Sequence, residues 1–474
     1  MNQKKQFNRY IPILIKEQLD QLTYSRKDNL YTVIDLINRK EIYYKSDLQR
    51  TYGFTEIALA QFKELLPSSD NLNEDIQFLI DHEFIRRNNF YSIGTKCKSY
   101  KISSEFLGKS VGIKIQNHNI NKRIAKQIDK NKRMKVKNLE FAKTDYYKTF
   151  RIDVDCANRA ILNKALEEIR NLCHRINIRL SDAEILCIIS CKQDSLKNRM
   201  LIILNKEGKE LHNILHRYMV YATRINSIND GFLFFKRNKT NGRLDSNLTS
   251  LPSFLRPFII SNESLMNIDI KNSQPYFLYT LIANKPEINP NELANYKDLV
   301  IGGTLYEYLG ERFKANYGKQ RTRNQIKEML FKIYYSKNDS FVPLKQFFAS
   351  QFPSIMDYIN KTNAINNSTL AIQLQTIESY SILDVIMPLL EQKGIRPFTI
   401  HDSFVCKESE SKIIVEVFNG KFAELYGIAP ALHQDYINRD IEGDEDLIED
   451  FEAFIIELND IMDSKENLTR GLPA

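Results

Sequence analysis

The chain has 474 residues, 43% hydrophobic and 27% charged, with a net charge of +8 and a pI near 8.9. That is the mix of a globular protein with room for about two to three domains. No apolar run reaches the roughly 18 residues of a membrane span, and the basic start MNQKKQFNRY lacks a signal peptide's apolar core. The six cysteines are scattered without a CxxC pair, so reduced thiols and a cytoplasmic setting are expected, not a disulfide framework or a zinc site.

Residues 1–110 are expected to form a module of their own. Helix-like stretches end at IQFLIDHEFIRRN, and NFYSIGTKCKSYKIS then alternates like a hairpin turning at Gly94. Helices followed by a basic hairpin read as a winged-helix-like module or as a small α+β cap. Residues 111–154 form a basic linker, with Lys122, Arg123, Lys126, Lys130, Lys132, Arg133, Lys135 and Lys137 in one short span. Such a span either grips a phosphate backbone or is a solvated helix. Residues 155–230 carry apolar spacings of three and four and are expected to be helical. His212 and His216 sit four apart there, with no Glu between them and no third ligand, and read as a helix face.

A new domain is expected over 231–430. It opens with a hairpin turning at Asn241-Gly242 and an irregular Ser/Leu/Pro stretch. LMNIDI follows as a strand, PYFLYTLIANK as a helix, 305–335 as a helical region and 369–392 as a long helix, and the domain closes on TIHDSFVCKES. Residues 431–474 form an acidic helix or tail, so the rest of the chain is more basic than +8 implies. A basic body suits a protein that tracks phosphates.

Two acids in this domain can carry chemistry. Alternation over LMNIDI puts Asp269 at the end of a strand, and Asp402 lies at the tip of the hairpin PFTIH–SFVCK. Alone, each reads equally as a loop acid; His401-Asp402-Ser403 also raises a hydrolase fragment. Together they can hold a pair of Mg²⁺ ions, hard cations that keep positions for water and phosphate. Two such ions about 3.5–4 Å apart activate an attacking oxygen and stabilise a leaving one. In RTRNQIKEMLFKIYYSKN, Arg323, Lys327, Phe331 and Tyr335 recur at steps of four, a stripe drifting about 40° per step. Arg and Lys suit phosphate oxygens and the rings suit a base. A helix with a basic end and a buried aromatic end has the same pattern.

The order of these pieces resembles the family A DNA polymerases (DNA polymerase I type) and the related phage-type single-subunit RNA polymerases. TNGRLDSNLTSLP is similar to the family's T-G-R-L-S-S stretch and DIKNSQP to motif A. RNQIKEMLFKIYYS fits motif B except that Ser336 replaces Gly. IHDSF matches motif C in its RNA polymerase form, and LAIQLQTIESYSILDVIMPLLE resembles the glutamine-bearing helix ahead of it. The resemblance covers about Gly231 to Leu425, with 155–230 in the place of a thumb. It implies an α+β right-hand polymerase with a palm sheet and helical thumb and fingers. Asp269, Asp402 and the Ile270 carbonyl would hold two Mg²⁺ ions, Mn²⁺ being able to substitute. Arg323 and Lys327 would grip a nucleoside triphosphate, and Phe331 and Tyr335 would floor its pocket. Arg243, Gln375 and His401 would meet a DNA primer-template, with RNA also open. At the position where the DNA polymerases carry a sugar-excluding Glu stands Gln274, which tilts sugar choice toward dNTPs without fixing it. Ser403 keeps an RNA polymerase or primase open. A catalytically silent initiator that binds DNA is a third reading. The small size and the added module suggest replication of a phage or mobile element.

Overall fold

A computed structural model describes residues 5–43, 54–66, 71–89, 97–190 and 194–437. The turn expected at Gly94 and the acidic stretch beyond residue 437 lie outside these residues. The fold is α+β, with helices surrounding small antiparallel sheets. In chain order the strands are β1 (Asn8–Pro12), β2 (Thr55–Glu56), β3 (Ile85–Asn88), β4 (Ser99–Ile102), β5 (Ser110–Lys114), β6 (Phe235–Arg237), β7 (Leu244–Ser246), β8 (Leu265–Ile270), β9 (Phe398–Ile400), β10 (Ser403–Lys407) and β11 (Leu432–Tyr436). They pair as β1-β5, β2-β4-β3, β6-β7 and β11-β8-β10-β9.

Apolar residues gather into two cores. One holds Ile11, Ile34, Leu79 and Tyr100 of the N-terminal region. The other holds Ile268, Phe277 and Phe404 around the four-stranded sheet. Two long helices, Val154–Arg175 and Asp194–Asn229, run through both. The first gives Ala157 and Ile161 to the second core and Ile169 and Leu172 to the N-terminal one. A 22-residue helix is about 33 Å long, enough to reach across two cores.

The segment expected as a linker is folded. Helix His118–Arg133 is capped by Asn117, whose side chain accepts from the amides of Asn119 and Ile120. Ile120, Ile124 and Ile128 are buried in the N-terminal core, while Lys122, Lys126 and Lys130 stay exposed. Helix Glu140–Thr149 then sends Ala142 and Tyr146 into the second core. The apolar steps of four hidden among the lysines are the physical reason this segment packs. Likewise, the first residues of the stretch expected as an acidic tail form β11, paired along β8 from Leu432↔Ile270 to Tyr436↔Met266.

A buried polar seam fastens the N-terminal region to the longer helix. Arg9 Nη1 and Arg39 Nε both donate to Asp35 Oδ2, at 2.8 and 2.7 Å, and the Tyr10 amide donates to Asp35 Oδ1 at 2.8 Å. Tyr10 Oη donates to Asp230 at 2.8 Å, Arg39 Nη1 to Ser227 at 2.6 Å and Asn38 to Thr223 at 2.8 Å. Arg9 is 2% and Asp35 0% exposed. Burial lowers the Arg9 pKa to about 10, against the opposing pull of Asp35. Removing one partner of such a pair strands the other charge in a dry site. Asp35→Ala is therefore expected to cost about 3–5 kcal/mol in urea unfolding. Asp182→Ala, which breaks the exposed pair with Arg170, should cost at most about 1 kcal/mol. Equal effects would rule out a special role for the seam.

Candidate active site

β8 and β10 run antiparallel with Ser403 opposite Asp269, so Asp402 lies one residue from the partner of Asp269. Ser403 also pairs with Ile400 of β9, which leaves His401 and Asp402 as a two-residue turn. His401 takes φ +57°, an uncommon value for a residue with a Cβ. The buried Ser403 hydroxyl donates to the Ile400 carbonyl at 3.0 Å, so it closes the turn. It does not take part in a Ser–His relay.

The two aspartates line one cleft of about 390 Å³. Ile270, Lys271, Asn272, Ser273 and Gln274 continue its wall, and Tyr306, Glu307, Arg323, Lys327 and Phe331 face it. Burial first, and then the Asp402 charge, push the Asp269 carboxyl up to about 7, while Lys327 opposes the shift. A like charge acts at this strength only at short range. Neither aspartate has an ion-pair partner among the described residues.

Helix Arg323–Tyr335 starts at a capping box, in which Thr322 and Gln325 satisfy each other's backbone amides. One stripe of the helix looks into the cleft. Arg323 is exposed, pairs with Glu307 at 2.9 Å and lies over the Tyr306 ring at 4.8 Å. Lys327 sits 5.8 Å from the Phe331 ring, and the Phe331 and Tyr335 rings stack at 5.8 Å. Ser336, where the resemblance has Gly, adopts φ −98° and ψ 164°, an extended conformation that needs no glycine.

Behind the cleft runs a closed polar chain. Arg243 donates from Nε and Nη2 to the two oxygens of Glu378 at 2.7 and 2.6 Å. The Gln274 amide nitrogen donates to Glu378 Oε2 at 2.6 Å, and Tyr335 Oη donates to Gln274 Oε1 at 2.6 Å. Asn241 joins Gln375 at 2.8 Å. Gly242, at φ +71°, lets this turn pass against Ser379, where a Cβ would come within 2.7 Å of the hydroxyl. Arg243 is thus a forked partner of Glu378, not a free cation. His401 lies beside Arg243, Asp402 and Arg256; burial, then Arg243, lower its pKa to about 4, so it is neutral at pH 7.

The structure brings Asp269, Ile270, Asp402, Arg323, Lys327, Phe331 and Gln274 to one cleft and places Tyr335, Arg243, Gln375 and His401 around its rear. Sequence reasoning missed Glu378, Lys271, Asn272 and Arg256. Asn272 and Ser273 line the cleft with side-chain polar atoms that are buried and unpartnered among the described residues. Arg256 feels the Asp269 charge from a short 3₁₀ segment. Lys271 and Asn272 fall inside DIKNSQP and Glu378 inside LAIQLQTIESYSILDVIMPLLE, but nothing in their local pattern singles them out, and Arg256 lies outside the stretches that carry the resemblance.

Two carboxylates in one cleft, with no ion-pair partner among the described residues, could hold a divalent cation, which takes oxygen donors. No cluster of three or more His, Cys, Asp or Glu able to hold a metal occurs among the described residues, and the His212 and His216 rings stack on each other at 6.1 Å.

No protein-family model matches the chain, and no curated protein matches it. Among solved structures, it is similar to the POL domain of Pol1 from M. smegmatis in complex with DNA primer-template and dNTP. That likeness has 12% identity and a TM-score of 0.43, over 67% of this chain and 72% of that one. No helix among the described residues is long and apolar enough to cross a membrane.

The raised Asp269 pKa fixes the sign of a pH effect. Its value in the fold lies above the free-carboxylate value of 3.8, so the metal-free fold loses stability as pH rises through that window to about 7. A bound cation must displace this proton. The apparent Mn²⁺ affinity, read by calorimetric titration, is expected to rise about tenfold from pH 6 to pH 8. In Asp269→Asn it should be weak and independent of pH. A flat wild-type profile would show that no proton leaves Asp269 on binding, and an Asp269→Asn affinity equal to wild type would exclude Asp269 as a ligand.

Proposed function

We propose that the chain is a template-directed nucleotidyltransferase, and in the first place a DNA polymerase that adds dNTPs to a primer 3′-OH. The observation that carries this reading is the Asp269/Asp402 pair at one end of the β8–β10 ladder, facing Arg323 and Lys327 across a single cleft. Phosphoryl transfer asks a protein mainly for positioning and charge neutralisation. Asp269, Asp402 and the Ile270 carbonyl would hold Mg²⁺, which when bound activates the attacking oxygen and stabilises the leaving one. Lys327 and Arg323 bind and orient the triphosphate; Arg323 must leave Glu307 to do so. Lys271 is a third cation lining the same cleft. Phe331 and Tyr335 offer faces to the base. Neutral His401, with a buried Nδ1 that has no partner among the described residues, can orient a primer terminus.

In this reading the β8–β10 sheet is the palm, helix Arg323–Tyr335 belongs to the fingers, and helices Val154–Arg175 and Asp194–Asn229 are the thumb. The N-terminal region would be a winged-helix-like nucleic-acid module, and the exposed Lys122, Lys126 and Lys130 would meet phosphates. RNA synthesis is the alternative that the His401-Asp402-Ser403 turn keeps in view. Gln274, which stands as a bulky wall, supports dNTPs, and the Ser403 hydroxyl, which closes the turn on the Ile400 carbonyl, bears on neither sugar.

Primer extension with dNTPs and rNTPs in parallel tests the reading. Wild type should extend a DNA primer with dNTPs, and Asp269→Ala or Asp402→Ala should lose more than about a hundredfold in rate. Lys327→Ala should lose about 10²–10³ in kcat/KM. Synthesis from rNTPs alone would assign the chain to RNA. Tight DNA binding without incorporation would make it a binding protein. Separately, replacing Lys122, Lys126 and Lys130 with Ala should reduce the salt slope of duplex binding by about 0.9 for each phosphate no longer neutralised. An unchanged slope would remove that helix from the interface.

A further inference from the structure

We infer that Glu378 is a positioning residue for sugar selection, acting by holding the side-chain amide of Gln274 in one orientation. The inference rests on the nucleotidyl-transfer reading above and extends it to a residue outside the cleft. Glu378 is 0% exposed and lies on helix Thr369–Ser379, while Gln274 belongs to the helix after β8.

The hydrogen-bond directions follow from the ionised form of Glu378, which the two Arg243 nitrogens favour while burial and the Asp402 charge raise its pKa to about 7. Ionised, Glu378 presents acceptors only. The Gln274 group that meets Glu378 Oε2 at 2.6 Å must therefore be its NH₂. That choice turns the Gln274 carbonyl toward Tyr335, whose hydroxyl donates to it at 2.6 Å. One polar sequence runs Arg243 to Glu378, Gln274 to Glu378, and Tyr335 to Gln274. Gln274 is only 9% exposed, so a free amide would have to leave hydrogen bonds unmade in order to swing away. Held at both ends, it is a rigid wall beside the nucleotide. A ribose 2′-OH would have to displace the wall or break a charge-assisted bond. A deoxyribose asks for neither.

A neutral partner would release that choice. In Glu378→Gln, the new side chain has one carbonyl to share between Arg243 and Gln274, and the Gln274 amide is free to flip. In Gln274→Glu, two carboxylates face each other inside the fold. Making both changes puts a carboxylate back opposite an amide donor and retains the hydroxyl of Tyr335 as donor, at the cost of one Arg243 bond, because Glu378 Oε2 accepts from both Arg243 Nη2 and Gln274.

The test is the ratio of kcat/KM for a dNTP over the matching rNTP, on one primer-template. Glu378→Gln is expected to lower the ratio about tenfold, mainly by raising rNTP use. Gln274→Glu alone is expected to depress incorporation of both sugars, and Gln274→Glu/Glu378→Gln together to move the ratio back toward the wild-type value, short of it by the lost Arg243 bond. Plain structural damage would lower both rates in proportion and leave the ratio where it was. An unchanged ratio in Glu378→Gln overturns the inference. If that variant does not fold, the exchanged pair decides: a return toward the wild-type ratio supports the inference and no return overturns it. Wild type that incorporates neither sugar would remove the nucleotidyl-transfer reading, and this inference with it. Wild type that incorporates nucleotides while the variants keep its ratio would remove this inference alone.

Discussion

Everything at the candidate site depends on holding two negative charges close together at the edge of a core. Like-charged carboxylates repel, and burial raises the cost of ionising either one. The fold imposes the juxtaposition through backbone register: pairing Ser403 with Asp269 and with Ile400 leaves the chain no route except a two-residue turn with Asp402 at its second position. Slipping either ladder by one residue would send these side chains to the opposite face. The apolar body of the sheet resists that slip, since Ile268 and Phe404 are fully buried and Phe404 meets Phe418 of the covering helix. The raised Asp269 pKa is the electrostatic mark of that constraint, and a cation in the cleft is its natural relief.

The cations are arranged in the opposite manner. Arg323 and Lys327 are exposed at the cleft mouth, and Arg323 is held by an exposed Glu307 that can release it. Arg243 and Arg9, by contrast, are fixed on fully buried carboxylates. The chain therefore uses arginine in two ways. One is an exposed ion pair at the cleft mouth, and the other is a fixed fork that sets the position of its neighbours. Solvent exposure separates the two roles, and sequence alone assigns them no difference.

That distinction explains how much of the site was legible. Alternation in LMNIDI, the break at Thr399–Phe404 and the steps of four in Arg323, Lys327, Phe331 and Tyr335 are local patterns, and local patterns set which side chains share a face. They predict the strand, the hairpin tip and the helix stripe well. Glu378 was not legible, because it reads as an ordinary polar position on a helix and acquires meaning only from Arg243, 135 residues away. In helix His118–Arg133 the lysines dominate the sequence pattern, although Ile120, Ile124 and Ile128 decide where the helix packs. β11 is obscured by the acidic run that begins within it, since pairing with β8 is a long-range event that composition does not report.

The polar chain behind the cleft couples the walls of the site. Arg243, Glu378, Gln274 and Tyr335 come from a hairpin, two helices behind the sheet and the helix that carries Arg323 and Lys327, so the network joins four of the elements around the cleft. A displacement of helix Arg323–Tyr335 must stretch the Tyr335–Gln274 bond, and a change at Gln274 is felt at Glu378 and Arg243. Networks of this kind gain when all members are satisfied and lose heavily when one is not. The geometry of the cleft is thus set from behind by a fully paired network, while the cleft itself keeps unpaired acids, unpaired amide groups and releasable cations. Satisfied polar groups supply the stiffness, and unsatisfied ones supply the chemistry.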